Sequence, residues 1–579
     1  MLTDLTRKSP DIFDPRKDAV ASARIKEGEV TAVADQRPEN AQWHDLSLPD
    51  LQRHARTPHL DVVKAHSSVF RAKFPELRGR LWGWRQKEMS ELLADPSPKG
   101  ERFRETISSL AASEVRAAVR GLIHDSSKAL PLPHELFDQL LLQGVVRIPS
   151  ADQINIQQLL EEKNPKQLLR AAEIIWRYSG IEGLAGDHAY SDVEGPPDAS
   201  LLEYHGSPSR QGIDVKSRVA WSNEYSSALV TKTPIIMSNM EANSDLVSSE
   251  LARKAGVMPA LFSCAPEDRL QAARNFGKDI LITVRTSDDE MKLAKQILDA
   301  GGNVHIEMAN AHNHVGLACV TELKEYIRQQ NYSSPRFVTI GKSVGGAFVI
   351  AAIMAGADGV FVNRGSSMIC STPTVTGLGI RTWSAIWEAA IAQRIAFILT
   401  GRDVPVSGDA GISSGADITK LMLAGAEGGM VGTTFIRTID SPPKKYRIEL
   451  PDESTEWRTE SWGDASEKAK ERERERKLKM GLPVTDLAAV AAQGVETTQS
   501  IPTNRAGDPV TIEDVAKRIA LELQGAIGDL NAQSASELPV ERRGGVFRFP
   551  EEGALLELKA KRKPLPQGKV KEERASRIG

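Results

Sequence analysis

Cys370, one of three cysteines in a chain of 579 residues, stands in the stretch GSSMICSTPTVTGLG at 365–379, where Gly, Ser and Thr leave no periodic apolar face. A structural cysteine ordinarily packs among apolar neighbours and stays inert. A thiol on a polar, glycine-punctuated loop is instead accessible and open to tuning towards thiolate, the reactive nucleophile. A second kind of chemistry lies close by in the chain. VSGDAGISSGADITK at 406–420 and MVGTT at 430–434 each carry an apolar run into a glycine-rich turn. Turns of this kind, with a helix amino terminus, gather backbone N–H groups that hold a phosphate without a basic side chain. Asp409 then stands ready to accept hydrogen bonds from ribose hydroxyls. The plainer alternative is that these glycines only serve tight turns between strand and helix.

Such loops need a scaffold, and the flanking pattern supplies one. Eight short apolar runs recur in order: TPIIMSN, VMPALFS, ILITVRT, NVHIEMA, RFVTIGK, GVFVNRG, DVPVSGD and GGMVGTT. Helical stretches separate them. Eight strand-then-helix units with continuously apolar strands predict an α/β fold, a (β/α)8 TIM barrel, with its chemistry at the carboxyl ends of the strands.

Around this barrel, expected over 201–545, the pattern predicts three further regions. Residues 1–200 read as mainly helical, with apolar spacings of three and four in 100–123 and 155–180, and a connector rich in Gly, Pro and Ser falls around 186–212. A flap-like insertion spans about 439–493. Its run Glu471–Lys477 alternates Glu and Arg with no apolar face, which reads either as a solvated helix held by i,i+4 ion pairs or as a segment that closes over the barrel mouth. After a helix with Thr511 as N-cap and a stripe of Val515, Ile519 and Leu523, residues 546–579 form a basic tail without periodicity, expected to be disordered.

A net charge of -3, from 74 basic and 77 acidic residues, argues against a nucleic-acid partner. No apolar run reaches a membrane span, and no secretory h-region opens the chain, so a cytoplasmic protein is expected. Three cysteines give neither a disulfide framework nor a metal-ligand spacing. Cys264 and Cys319 read as packing residues, His305 as a barrel residue, and His312 and His314 as loop histidines without a third ligand.

The motifs together carry a resemblance. SNMEANSD at 238–245, MAGADGVFVNRGSSMICSTPTVTGLG at 354–379 and DVPVSGDAGISSGADITKLMLAGAEGGMVGTTF at 403–435 resemble the inosine monophosphate dehydrogenase and guanosine monophosphate reductase family. The likeness runs over about 212–440, and AAQGVE with the following helix extends it. It implies an oxidoreductase in which Cys370 attacks C2 of a purine nucleoside monophosphate and hydride passes to NAD or NADP. By the same resemblance Thr372 lies beside the reacting carbon, Met240 and Gln493 meet the base, Asp409 holds the ribose, and Gly411, Gly432 and Thr433 hold the phosphate. The carbonyls of Gly365, Ser367 and Cys370 are candidates for a monovalent cation such as K+, and a homotetramer is implied.

Departures from the family pattern are equally specific. Gly365-Ser-Ser-Met368 replaces the usual Gly-Pro-Gly-Ser, and Pro373 follows Cys370-Ser-Thr. Glu307 stands for an Asp at the nicotinamide ribose. Lys342 stands for an Asn, so that it either meets an anionic group or points out of the barrel. The flap has no Arg-Tyr pair to activate water; Arg458, Arg472, Arg474 and Arg476 are the available substitutes. No pair of regulatory nucleotide-binding modules interrupts the barrel. The sequence therefore supports a dehydrogenase of this type first, with two alternatives: a reductase that expels ammonia, or a catalytically degenerate nucleotide-binding or scaffolding subunit.

Overall fold

Strands that are apolar on both faces need cover on both sides, and eight of them obtain it by closing on themselves inside a ring of helices. The computed structural model of the chain has this form. It describes residues 154–179, 213–308, 313–343, 345–363, 382–450, 453–479 and 494–530, with shorter pieces at 72–73, 91–92, 95–103, 106, 110, 148–149, 200–201, 369–370, 372, 375, 492, 532, 534–535, 538, 547–548 and 569–571. Strands β1 (Ile235–Met237), β2 (Met258–Leu261), β3 (Leu281–Val284), β4 (Asn303–Glu307), β5 (Val338–Ser343), β6 (Gly359–Val362), β7 (Val406–Asp409) and β8 (Gly428–Val431) make one closed barrel. Every pairing is parallel, and the ring seals where Met430 of β8 pairs with Ile236 of β1. Each strand coincides with one of the runs read from the sequence, β5 passing its run by one residue at Ser343, so the (β/α)8 expectation holds.

Side chains alternate across each strand. Ile236, Met258, Ala260, Leu281, Phe361 and Met430 gather in the barrel interior, while Ile235, Ile282, Val304, Val338 and Val406 meet the helices. The helices are α2 (Leu246–Lys254), α3 (Pro266–Phe276), α4 (Asp288–Asp299), α5 (His314–Gln330), α6 (Gly346–Ala355), α7 (Thr382–Thr400) and α8 (Gly415–Leu423). All ten residues of α6, GAFVIAAIMA, are buried. A helix apolar all round must be sandwiched. The outer layer is α1 (Pro165–Ser179), whose Trp176 packs on Gly346 so closely that a Cβ there would lie 2.5 Å from the indole. Most of the helical region expected over 1–200, and nearly all of the connector at 186–212, lie outside the described residues.

A hairpin of Ser217–Ser222 and Ser227–Thr231 covers the barrel floor, with the Trp221 N–H donating to the Asp358 carbonyl at 2.7 Å. Beyond β8, β9 (Lys445–Glu449) and β10 (Thr455–Trp462) pair antiparallel, α9 (Glu467–Lys479) follows, and β11 (Glu496–Ser500) joins β10. The expected insertion is thus a small sheet with a helix. Most of the tail at 546–579 is outside the described residues, but β12 (Lys569–Lys571) pairs with β9. Helix α10 (Ile512–Asp529) has Thr511 as N-cap in a capping box with Asp514, and it buries Val515, Ile519 and Leu523 as its stripe predicts. Among the described residues no helix is long and apolar enough to cross a membrane.

Candidate active site

The carboxyl ends of the strands bring charged side chains together that are far apart in sequence. Glu307 ends β4, Lys342 lies near the end of β5, and Asp409 ends β7. Of the two orientations open to Lys342, the structure takes the inward one. Its Nζ lies 3.0 Å from Glu307 Oε1 and 3.5 Å from Asp409 Oδ2. Burial opposes the ammonium charge, yet Asp409 and Glu307 together hold Lys342 well above its ordinary range. Burial likewise opposes the Glu307 charge, but Lys342, with His305 and Arg285, outweighs it and the carboxyl is lowered. Asp409 is raised, because for it burial prevails over Lys342. On the β1 side, Asn239 Nδ2 donates to Glu307 Oε2 at 2.5 Å and to Thr283 Oγ1 at 3.0 Å. Asn239 is fully buried, and its Oδ1 has no hydrogen-bond partner among the described residues.

The cysteine loop is pinned by backbone to the insertion. Cys370, half-buried, bridges to Gly494, and the Val495 N–H donates to the Ile369 carbonyl at 3.1 Å. The Gly463 N–H donates to the Val495 carbonyl at 3.2 Å, so residues 369–370, 463 and 494–495 form one seam. A side chain does not fit there: a Cβ on Gly494 would lie 2.9 Å from the Ser466 nitrogen, and one on Gly463 would collide with the Ile369 carbonyl. Met240 packs with Ile369, Trp462 and Ile436, and a Cβ on Gly432 would be 3.3 Å from its sulfur. The fold therefore brings Met240, the Cys370 loop and Gly432 together. Thr372 is buried. Gly365, Ser367 and Gln493 lie outside the described residues, and with them two of the three carbonyls considered for a cation.

One expectation about the phosphate loops needs correction. The amino terminus of α8 is not open to an anion. Asp417 Oδ2 accepts from the N–H groups of Ser413 and Ser414 at 2.9 and 3.1 Å, and Glu522 Oε2 accepts from the Gly415 N–H at 2.8 Å. Two carboxylates of the chain itself already occupy it. The turn before α8 is shaped separately. Ala410 and Gly411 both have left-handed backbone, φ 67° and 73°, and the Thr382 hydroxyl donates to the Ala410 carbonyl at 2.9 Å while accepting from Asn363 Nδ2 at 2.7 Å. After β8, Gly432 opens a single helical turn, Thr433–Ile436, with no side-chain cap.

The insertion reaches the same mouth, and its charge run combines both readings: it is largely exposed and holds the i,i+4 pair Glu473–Lys477, yet two of its arginines dock on the barrel. Arg472 Nε donates to Glu241 Oε1 at 2.9 Å, Arg476 pairs with the same oxygen, and its guanidinium lies 5.3 Å from the Phe262 ring centroid. Trp462, nearly fully buried, stacks beneath Lys468 and Arg472 at 4.4 and 5.5 Å. A helix without an apolar face can dock through arginine planes on aromatic rings and a buried carboxylate. Arg474 is exposed, and Arg458 pairs with Glu456 within the sheet at 2.6 Å. Just before α9, Asp464 Oδ1 accepts from the Glu241 N–H at 3.0 Å. Burial, and then the charge of Glu307, push its carboxyl up to about 7.

Asp464 and Glu241 were not singled out from sequence. The available signal was a Gly-Asp pair inside a charged segment and a Glu inside SNMEANSD, neither distinguishable from surface residues without the fold. The other two cysteines are packing residues: burial raises Cys264 to about 12 and Cys319 to about 11. His305 is fully buried in the barrel, its Nδ1 2.9 Å from Thr339 Oγ1, and burial pulls it down to about 4. His314 opens α5, and His312 lies outside the described residues.

The IMP dehydrogenase / GMP reductase domain matches residues 207–544, more than half of the chain. The chain belongs to this family. Its similarity to individual members is partial. It is 34% identical over 161 residues to the inosine-5'-monophosphate dehydrogenase of Mycobacterium tuberculosis (strain ATCC 25618 / H37Rv), covering 28% of each chain. To that of Mycobacterium leprae (strain TN) it is 30% identical over 247 residues, 40% of this chain and 44% of the relative. To the GMP reductase of Aliivibrio salmonicida (strain LFI1238) it is 27% identical over 238 residues, 39% of this chain and 65% of the relative. The chain thus spans from 28% to 65% of the length of these family members.

Proposed function

We propose that the protein is a purine nucleotide oxidoreductase of the inosine monophosphate dehydrogenase type, with Cys370 as nucleophile. The observation that supports this reading most is the seam at 369–370, 463 and 494–495. It fixes the one cysteine outside the apolar core beside Met240 and Gly432, on the carboxyl side of the barrel. In this reading Asp409 holds the ribose, and Gly411, Gly432 and Thr433 hold the phosphate, now without help from the capped α8. Met240 and Gln493 contact the purine, and Thr372 flanks the reacting carbon. The Cys370 sulfur adds to C2, which splits a difficult oxidation into two easier steps.

A nicotinamide cofactor fits the β1–β4 side of the mouth in one respect. The unpartnered, fully buried acceptor Asn239 Oδ1 wants a donor, such as a carboxamide or a ribose hydroxyl. Glu307, Lys342 and Asn239 would hold the group, NAD or NADP, and when bound it supplies hydride acceptance. Cys370, Gly365 and Ser367 carbonyls would take K+ if the reaction uses one. Deaminating reduction in the same site is the second reading, because a GMP reductase aligns over nearly the same span of this chain as a dehydrogenase does, 238 against 247 residues.

The test is selective alkylation of Cys370 at neutral pH with and without inosine monophosphate, read by mass spectrometry of the three cysteine peptides. Cys370 should react fastest and be protected by the nucleotide, and the Cys370→Ala chain should lose all adduct and turnover. If Cys370 reacts no faster than Cys264 and Cys319 and the nucleotide changes nothing, the barrel is a degenerate scaffold.

A further inference from the structure

Any reaction that forms a Cys370 adduct needs a second group to resolve it, and the insertion at 439–493 has no Arg-Tyr pair for that purpose. Four carboxylates face the mouth among the described residues. Three are tied up: Glu307 and Asp409 share the Lys342 ammonium, Asn239 takes the second oxygen of Glu307, and Glu241 is held by Arg472 and Arg476. Asp464 differs. It makes no ion pair among the described residues, and its bond is a single one, from the Glu241 N–H. It also follows directly on Gly463, whose backbone lies in the seam with Ile369 and Cys370. The insertion thereby delivers a carboxylate to the place where the cysteine loop meets the ends of the strands.

We propose that Asp464 is the general base that resolves the Cys370 adduct. The inference rests on the oxidoreductase reading above. The adduct to be resolved is the oxidised one, in which C2 of the purine has lost its hydride and is bonded to the Cys370 sulfur. The oxygen of a water bonds to C2 while its proton passes to the Asp464 carboxylate. The C2–S bond then breaks with its electron pair on sulfur, releasing the 2-oxo purine and regenerating the Cys370 thiolate.

The surroundings suit that task. Asp464 is faced by Glu307 of β4, Lys342 of β5, Arg285 just past β3 and Glu241 past β1, the last held by Arg472 and Arg476 of α9; Asp409 of β7 lies across Lys342. Burial and Glu307 leave its carboxyl near 7, where a base is both available and strong enough at neutral pH. Asn239 Oδ1 is an unpartnered acceptor on the same side.

Full-length Asp464→Asn and Asp464→Glu chains are compared with the parent, using inosine monophosphate and NAD as probes. In Asp464→Asn the burst of reduced cofactor and the Cys370 adduct seen by intact mass should persist, while steady turnover falls by about 10²- to 10⁴-fold. The acidic limb of the parent's kcat profile, with activity lost as pH falls through about 7, should vanish in Asp464→Asn and return in Asp464→Glu. Unchanged turnover with the same acidic limb overturns the proposal. So does joint loss of burst and turnover, which marks a structural role. If the parent itself forms no adduct, the oxidoreductase reading falls first and carries this one with it.

Discussion

A lysine is held between carboxylates at each end of the barrel, buried at the floor and half-buried at the mouth. At the floor, Lys324 Nζ lies 2.9 and 3.0 Å from the two oxygens of Asp358 and also pairs with Glu224. Asp358 accepts in addition from the Val338 N–H at 2.9 Å, and Arg402 lies 3.6 Å away while donating to the carbonyls of Gly356 and Ala357. The Lys324 and Asp358 side chains are 1% and 0% exposed. At the mouth, Lys342 and Glu307 are 23% and 18% exposed, and the neighbouring Asn239 keeps an unpaired acceptor. The floor cluster also holds one unpartnered donor, Arg402 Nε, but it is shut off from solvent and its charges go to strand ends and loop carbonyls, so it reads as a lock. The mouth cluster leaves hydrogen-bonding capacity unspent, which is costly in a buried place unless a ligand uses it.

Removing the counter-ion should expose this contrast most strongly at the floor. Lys324→Met leaves Asp358 buried beside only Arg402, and unfolding in urea should show a loss of about 3–5 kcal/mol. Lys342→Met should cost less, about 1–3 kcal/mol, because water already reaches Glu307 and can solvate it. Without the ammonium, Glu307 would rise from its lowered position, so the Lys342→Met chain should lose less of its stability as pH falls through the carboxylate range than the parent does. Equal losses for the two variants would erase the distinction between lock and site. The smallest effect is expected from Arg472→Ala with Arg476→Ala, about 1 kcal/mol. It should be local: amide exchange should speed up over 463–479 and stay unchanged in the barrel strands.

The legibility of the molecule follows the range of its interactions. All eight strands were readable, because each is a short apolar run whose burial on both faces is a property of the run itself. Thr511, as an N-cap bonded to a residue three positions on, was readable for the same reason. The α8 amino terminus misled. One of the carboxylates that close it, Glu522, comes from α10, 107 residues away. The charge run in α9 was legible only in part: its exposure and its Glu473–Lys477 pair are local, but its partners Glu241 and Phe262 lie on loops more than 200 residues earlier, and nothing in Glu-Arg alternation reveals them.

By itself the sequence determined the barrel, the position of a cysteine on the polar loop after its sixth strand, and the glycine turns after the seventh and eighth. These depend on local periodicity and on backbone freedom. Only the tertiary structure decided that Lys342 turns inward, that Asp464 reaches the mouth and that the α8 terminus is closed. Electrostatic pairing depends on distance in space, and in a closed barrel the last strand lies against the first.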